Sequence, residues 1–231
     1  MTEFECFSTL HYVSLAVCLI LAILAVVLCR RWRGTEKEAG IRMTIGIGCL
    51  VVWIVSAAYR LFFVPFDWES SLPLHFCNIA NLIGAMAIFG KGRLFKAVLY
   101  FWSFSLCIWA FLTPELSTGP ALPGFWIFWG YHVFIILAVV VILVLYQFQP
   151  NGRDFRNAAF FTIAYVGFLL VPNNIHQWNY GYVGPSKPSL PTIIDFLGPY
   201  PLRLVWMFLI GAFLFFLLLL PWMRRKSLHN N

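Results

Sequence analysis

The sequence predicts an all-α membrane protein of seven transmembrane helices. Three observations carry this prediction: the composition, the apolar runs and the placement of basic residues. Of the 231 residues, 61% are hydrophobic and 11% are charged, with a mean hydropathy of +0.81. Soluble domains average about 45–50% apolar and about 25% charged residues. The composition therefore excludes a soluble enzyme and a soluble nucleic-acid-binding protein.

Seven apolar runs are candidates for membrane segments, since about 20 helical residues cross a hydrocarbon core of about 30 Å. In lipid such runs must be helical, because every backbone polar group needs a partner within the segment. The sixth run is the weakest of the seven. The runs are Leu10–Cys29, Met43–Val64, Leu74–Phe89, Leu94–Leu112, Phe125–Phe148, Asn157–Val171 and Leu202–Leu220.

Basic residues follow the odd-numbered runs. Thirteen of the 16 Lys and Arg residues lie there, at positions 30, 31, 33, 37, 42, 91, 93, 96, 153, 156, 224, 225 and 226. Because Lys and Arg accumulate in cytoplasmic loops, this pattern predicts the N-terminus outside and the C-terminus in the cytoplasm. An even number of helices would put basic loops on both faces, so the charges support the count of seven.

The first run has no basic residue before it and no small-residue cleavage site, which indicates a retained helix rather than a secretory signal. We find no pattern typical of a soluble domain. The sequence therefore predicts one transmembrane domain over residues 1–231, with an outer loop or lid at about 172–201.

The cysteines and short motifs give no indication of a metal site or a cofactor. Cys18, Cys29, Cys49 and Cys107 lie inside apolar runs, where a free cysteine usually packs as a small hydrophobe. The chain has no CxxC, HExxH, glycine-rich phosphate loop or GxSxG elbow. We therefore expect no metal, no cofactor and no nucleic-acid partner, and we leave protein partners open.

Polar side chains cluster near the outer ends of several runs. Such residues are costly in a membrane and usually face a bundle interior or a water-filled cavity. At 1.5 Å per residue, Cys77 lies about 6 Å and His132 about 10 Å below the outer ends of their runs, where they can meet. The inner halves carry almost no comparable polarity, which predicts an outward-opening site. The cluster comprises Arg60, His75, Cys77, Asn78, Asn81, Glu115, His132, Asn173, Asn174 and His176.

Each of these residues also has a purely structural interpretation. Arg60 can extend its head group to the outer interface. His75 follows a proline and can cap a helix or face water. Asn78 and Asn81 can join helices through hydrogen bonds. His132 can be a packed core histidine.

Helical geometry favours His132 over His75 as the base for the Cys77 thiol. At about 100° per residue, Cys77 and Asn81 share a face, whereas His75 lies about 160° from Cys77. A Cys–His contact generates a nucleophilic thiolate, which at this depth could take a fatty acyl group from a lipid. Neighbouring polar side chains could stabilise an oxyanion. The candidates for that role are Arg60, Asn78 and Asn81.

Five short motifs lie in this cluster and in the connection that follows it: Leu72–Asn78, Tyr131–His132, Asn179–Tyr182, Lys187–Pro188 and Asp195–Pro201. They resemble the YwaF family of bacterial multi-pass membrane proteins, which is similar to animal transmembrane protein 164. The resemblance spans residues 72–201, and the last motif is the most specific. The chain departs from the family pattern at residues 192–194, where Ser-Leu-Leu is usual, and at Tyr200, which replaces a Trp. These changes preserve size and polarity.

The resemblance implies a seven-helix protein of the bacterial cytoplasmic membrane. Through the animal branch it also implies a cysteine-dependent acyltransferase that moves acyl chains between phospholipids. That branch uses a cysteine and a histidine, which correspond to Cys77 and His132. The implied partners are membrane lipids, with a phospholipid as the substrate.

The connection 172–201 is long for a simple linker, and loops of this length are usually functional or disordered. Its prolines prevent a continuous helix. Its aromatic residues favour an ordered lid over the outer cavity, with a disordered loop as the alternative. We also expect Arg60 to face the cavity and to form an ion pair with Glu115 or Asp195.

We therefore predict thiol-dependent acyl transfer or hydrolysis on a lipid, with Cys77 as nucleophile and His132 as base. A small-ligand binding or transport protein with an outward-facing vestibule is the alternative, although the chain lacks paired broken helices. A non-catalytic membrane partner would need none of the polar cluster. The predicted substrate or oxyanion contacts are Arg60, His75, Asn78, Asn81, Glu115, Asn174, His176, Asn179, Tyr180, Tyr182 and Asp195.

Overall fold

Helices make up the fold in the computed structural model, which describes residues 3–90, 92–188 and 190–228. Two of the helices contain a π-helical segment, Tyr59–Phe63 at the end of α2 and Ser103–Cys107 within α4. The helices are α1 (Thr9–Trp32), α2 (Lys37–Phe63), α3 (Phe76–Phe89), α4 (Arg93–Leu112), α5 (Pro123–Val144), α6 (Gly152–His176) and α7 (Leu202–Leu228).

The prediction of an all-helical multi-pass membrane protein is confirmed, with one refinement. Six of the described helices are long and apolar enough to cross a membrane, and α3 is shorter. Its 14 residues span about 21 Å, less than a hydrocarbon core of about 30 Å. The sixth run, predicted as the weakest, forms a helix of 25 residues. The orientation of the termini stays a prediction.

Local sequence signals set several helix ends. Ser8 caps α1 by accepting a hydrogen bond from the backbone N–H of His11, and Pro123 opens α5. At α6 the Asn151 side chain accepts from the Asp154 N–H while the Asp154 carboxylate accepts from the Asn151 N–H. That helix ends at Gln177, whose φ is +59°.

The short helix α3 lies at the centre of the bundle and packs against α2, α4 and α5. Most of its side chains are buried, whereas few of those of α1 and α7 are. Gly84 permits the close packing, because a Cβ there would lie 3.3 Å from both the Ala138 Cβ and the Cys49 Sγ. The centre of the bundle is therefore built around its shortest apolar helix.

The N-terminal segment lies at the same end of the bundle as the start of α5. The Phe4 N–H donates to the Ser117 carbonyl at 2.8 Å, and the Phe4 ring packs against Phe125 and Trp129. Phe4 and the start of α5 therefore lie at the same end of the bundle.

At the opposite end, we expect Asp154→Asn to lower the free energy of unfolding by about 1–3 kcal/mol. Arg93 donates from Nε and Nη2 to the two oxygens of Asp154, both at 2.7 Å, and so joins α4 to α6. The Arg93 side chain is 53% exposed, so water offsets part of the loss. The measurement is reversible denaturant unfolding in detergent micelles.

The control is Arg42→Gln, which removes the looser 3.6 Å pair with Glu38 within one helix. Such a pair contributes about 0.3–0.5 kcal/mol. Equal losses in the two variants would contradict the assignment of Arg93 and Asp154 as a structural link between helices.

Candidate functional site

A polar cavity of about 290 Å³ lies at the end of the bundle where α3 and α5 begin. Its walls come from the outer ends of α2 to α5, the loop before α3 and the connection after α6. Eight of the thirteen predicted site residues line it: Arg60, His75, Cys77, Asn78, Glu115, His132, Asn179 and Tyr182.

Cys77 is the second residue of α3, and its side chain faces the cavity. The first N–H groups of a helix have no acceptor within the helix, and the helix dipole places partial positive charge there. This position favours a thiolate. The observed position of Cys77 differs from the prediction, which placed it a full turn into its helix. The difference arises because α3 starts at Phe76 rather than at Leu74.

His132 lies beside Cys77 and is buried, with 2% of its surface exposed. Its Nδ1 is 2.9 Å from the Phe128 carbonyl oxygen, which can only accept a hydrogen bond, so Nδ1 carries the proton. Its Nε2 is buried without a hydrogen bond to the described residues. The tautomer with its proton on Nδ1 presents the Nε2 lone pair toward the cavity, within interaction range of the Cys77 thiol.

Cys107 lies beside this site, and the sequence interpretation missed it. Its thiol is a neighbour of the Cys77 thiol, and only 1% of its surface is exposed. It ends the π-helical segment of α4, and Arg60 lies in the π-helical segment of α2. Such segments are frequent at functional sites because they redirect side chains. Within an apolar run, Cys107 had looked like a packing residue.

His75 lies at the N-terminal end of α3 and contacts the outer connection rather than Cys77. Its Nδ1 accepts a hydrogen bond from the Gly181 N–H at 3.4 Å, and its ring packs against Tyr180 and Tyr182. Burial, together with the nearby Arg60 guanidinium, lowers the pKa of His75 to about 4. His75 is therefore neutral at neutral pH.

Arg60 and Glu115 face the cavity with partners that differ from the expected ion pair. Arg60 Nη1 donates to the Ser70 carbonyl at 3.0 Å, and Glu115 accepts from the Tyr182 hydroxyl at 2.6 Å. Burial and then the Glu115 charge raise the pKa of Tyr182, so this hydroxyl stays protonated. Asp195 caps a turn through the Thr192 N–H. Among the described residues, no ion pair within 4.0 Å joins Arg60 to either carboxylate.

Five predicted contacts lie away from the cavity lining. Asn81 donates to backbone carbonyls, and the Tyr180 hydroxyl bridges two backbone groups of the loop before α3. Asn174, His176 and Asp195 are exposed. Asn174 bonds to Tyr200, and the His176 ring stacks on Trp178. Their depth along the helices had placed them near the site, but depth does not fix which way a side chain points.

The connection after α6 has defined structure in its described residues and forms part of the cavity wall. It contains two short 3₁₀ segments, Tyr180–Tyr182 and Ile193–Leu197. Asn173 holds its start by donating to the Tyr180 carbonyl and accepting from the Tyr180 N–H. Buried Arg203 donates to Asn179 Oδ1 and to the carbonyls of residues 184 and 186. The connection begins at Gln177 rather than at about residue 172, because α6 continues to His176. Its role as a lid stays a prediction.

The comparison with family models matches residues 6–219 to the model described as the TMEM164 family. The match covers almost the whole chain and confirms the resemblance to transmembrane protein 164, but not the YwaF name. No match was found among curated proteins or among solved structures.

Proposed function

We propose, from the premise that the chain belongs to the TMEM164 family, that it is a thiol-dependent acyltransferase or acyl hydrolase acting on a membrane phospholipid. The observation that carries the proposal is the placement of Cys77 at the start of α3 beside the unpartnered Nε2 of His132. Both line one polar cavity among membrane-spanning helices. If the predicted orientation holds, the reaction takes place in the outer half of the cell membrane.

In the first step the lone pair of His132 Nε2 takes the proton of the Cys77 thiol. The Phe128 carbonyl, which accepts from Nδ1–H, orients the ring and stabilises the imidazolium that forms. The thiolate attacks the carbonyl carbon of a lipid ester, and a new C–S bond forms. The positive end of the α3 dipole stabilises the sulfur anion, beside which the Cys107 thiol lies.

The negative charge then moves to the former carbonyl oxygen. The Asn78 side chain, which lines the same cavity, and the N–H groups at the very start of α3 can donate to that oxyanion. The C–O bond breaks as His132 returns the proton to the leaving oxygen. The products of this step are a lipid alcohol and an acyl-thioester on Cys77.

The second step regenerates the thiol. His132 takes a proton from an acceptor hydroxyl, whose oxygen attacks the thioester carbon. The C–S bond breaks, and the thiolate that leaves recovers the proton from His132. A lipid hydroxyl as acceptor gives acyl transfer, and water gives hydrolysis. Arg60, Lys187 and Glu115 lie at the polar end of the cavity, where they can bind the head group.

The test is to trap the acyl-thioester. The purified full-length chain in lipid nanodiscs, supplied with a phospholipid carrying an isotope-labelled acyl chain, should form an adduct on Cys77. We expect intact-protein mass spectrometry to show it, neutral hydroxylamine to remove it and Cys77→Ala to lack it. Cys6→Ala is the matched control, because this exposed cysteine lies outside the cavity.

The absence of both an adduct and any released or transferred acyl chain would contradict the proposal. Binding of a small polar ligand in the same cavity would then be the better interpretation.

A further inference from the structure

We infer that Asn81 is a positioning residue: its side-chain amide fixes the helix that carries Cys77 against the helix that carries His132. This inference rests on the proposed function, and it replaces the role of oxyanion contact that the sequence predicted for Asn81.

The Asn81 amide nitrogen bridges the two helices at the level of the site. Nδ2 donates to the carbonyl of Cys77 at 3.2 Å and to the carbonyl of Tyr131 at 3.1 Å. The first acceptor belongs to the proposed nucleophile, and the second belongs to the residue directly before the proposed base. One side chain therefore ties together the backbones of both reacting residues.

These bonds leave Asn81 with no free donor. An amide nitrogen carries two hydrogens, and each is used by one of the two carbonyls. Asn81 is fully buried and does not line the cavity. It therefore cannot donate to an oxyanion formed on the substrate, and its effect on Cys77 and His132 must pass through the backbone.

The Asn81 hydrogen bonds fix a relative position of α3 and α5 that helix packing alone does not determine. Three residues further along α3, Gly84 brings the helix close to Ala138 of α5. In lipid, small residues allow close approach, and polar side chains supply the directional contacts between helices. Gly84 sets the distance between α3 and α5, whereas the two Asn81 bonds fix how far one helix slides along the other.

Sliding of α3 against α5 would separate the sulfur of Cys77 from the Nε2 of His132. A misplacement of about 1 Å at reacting atoms can reduce a rate about 10²-fold. Asn81 therefore controls whether His132 can take the proton of Cys77, without touching the lipid itself.

The test is the rate at which iodoacetamide alkylates Cys77 in the full-length chain in nanodiscs, measured by peptide mass spectrometry from pH 6 to 10. In Asn81→Leu we expect the rate at neutral pH to fall about tenfold or more. We also expect the midpoint of the rate-against-pH curve to move toward about 8.5, the value of an unperturbed thiol. A merely structural role would not move this midpoint.

Asn81→Ser keeps one of the two hydrogen bonds and removes the other. It also keeps the test decisive if Asn81→Leu fails to fold. A serine hydroxyl bonds the carbonyl four residues back, as Ser103 and Ser105 do in α4. It is too short to reach the Tyr131 carbonyl. We therefore expect Asn81→Ser to alter the rate and the midpoint as Asn81→Leu does.

Thr162→Val is the matched control, because it removes a 2.7 Å hydrogen bond between α4 and α6 away from the cavity. A folded Asn81→Ser protein with the wild-type rate and midpoint would overturn the inference. So would an equal change in Thr162→Val. Failure of the proposed function gives a different result, because the wild-type protein then forms no acyl-thioester. The alkylation comparison involves no acyl transfer and is read independently of that result.

Discussion

Cys77→Ala and His132→Ala are each expected to reduce acyl transfer by roughly 10³-fold, and the double variant should lose no more than either alone. General base catalysis contributes about 10²–10⁴ to a rate, and groups that act as one unit are strongly non-additive. Cys77→Ser should resemble Cys77→Ala, because a hydroxyl is a much weaker nucleophile than a thiolate. The measurement is initial turnover of a labelled phospholipid in nanodiscs.

Two buried residues of the same types serve as controls. Cys49 donates to the Phe134 carbonyl, and His11 bonds to the Phe7 N–H and the Phe111 carbonyl, all outside the cavity. Cys49→Ala and His11→Gln should keep the turnover of the wild type once folded protein is counted. Two results would contradict a shared role for the catalytic pair: losses that multiply in the double variant, or a Cys77→Ser protein with most of its activity.

The helices were predictable because lipid leaves the backbone no alternative to internal hydrogen bonding. Apolar length and the alternating basic loops located all seven helices, although α3 was predicted to begin at Leu74 and begins at Phe76. The weakest predicted helix continues past the predicted end at Val171 to His176. Its last turn contains polar residues, which lower the hydropathy on which the prediction relied. Asn173, for example, is fully buried because it holds the connection that follows.

The pairing of Cys77 with His132 was predictable from depth along two helices that start at the same face. The neighbouring Cys107 was not, because its approach depends on the π-helical segment Ser103–Cys107, and a π-helical turn has no reliable sequence signal. Asn81 shows the same limit. The helical period placed it on the face of Cys77, but only the packing of α3 on α5 determines that its donors reach two carbonyls.

The sequence predicted an irregular connection before the last helix but not how that connection is held. Its prolines and aromatics indicated an irregular ordered segment, yet the residue that anchors it lies outside it, in the first turn of α7. Arg203 is one of the three basic residues that do not follow an odd-numbered run, so the charge pattern did not account for it. The structure explains it, because this cation is 4% exposed and is surrounded by loop oxygens.

Arg203→Met is expected to release the start of the outer connection while the helices remain folded. The guanidinium donates to Asn179 Oδ1 at 3.1 Å, to the Ser186 carbonyl at 2.7 Å and to the Gly184 carbonyl. Hydrogen bonds to a charged group contribute about 1.5–3 kcal/mol each, and removal of the donor leaves buried acceptors without partners. We expect hydrogen-exchange protection of the backbone N–H groups in residues 181–186, apart from Pro185, to fall by roughly 100-fold, which corresponds to about 2.7 kcal/mol.

The matched controls keep either the charge or the loop contacts. Arg203→Lys preserves the cation but not the planar head group that brings Nη2 to all three oxygens, so protection should fall to an intermediate level. Lys187→Met removes a cation from the same connection, where its side chain lines the cavity, and should leave the protection of residues 181–186 unchanged. If Arg203→Met kept wild-type protection in this segment, the guanidinium would not be its anchor. Because Tyr182 and Asn179 lie in the cavity wall, a released segment should also lower turnover, and Arg203→Met should then show both losses together.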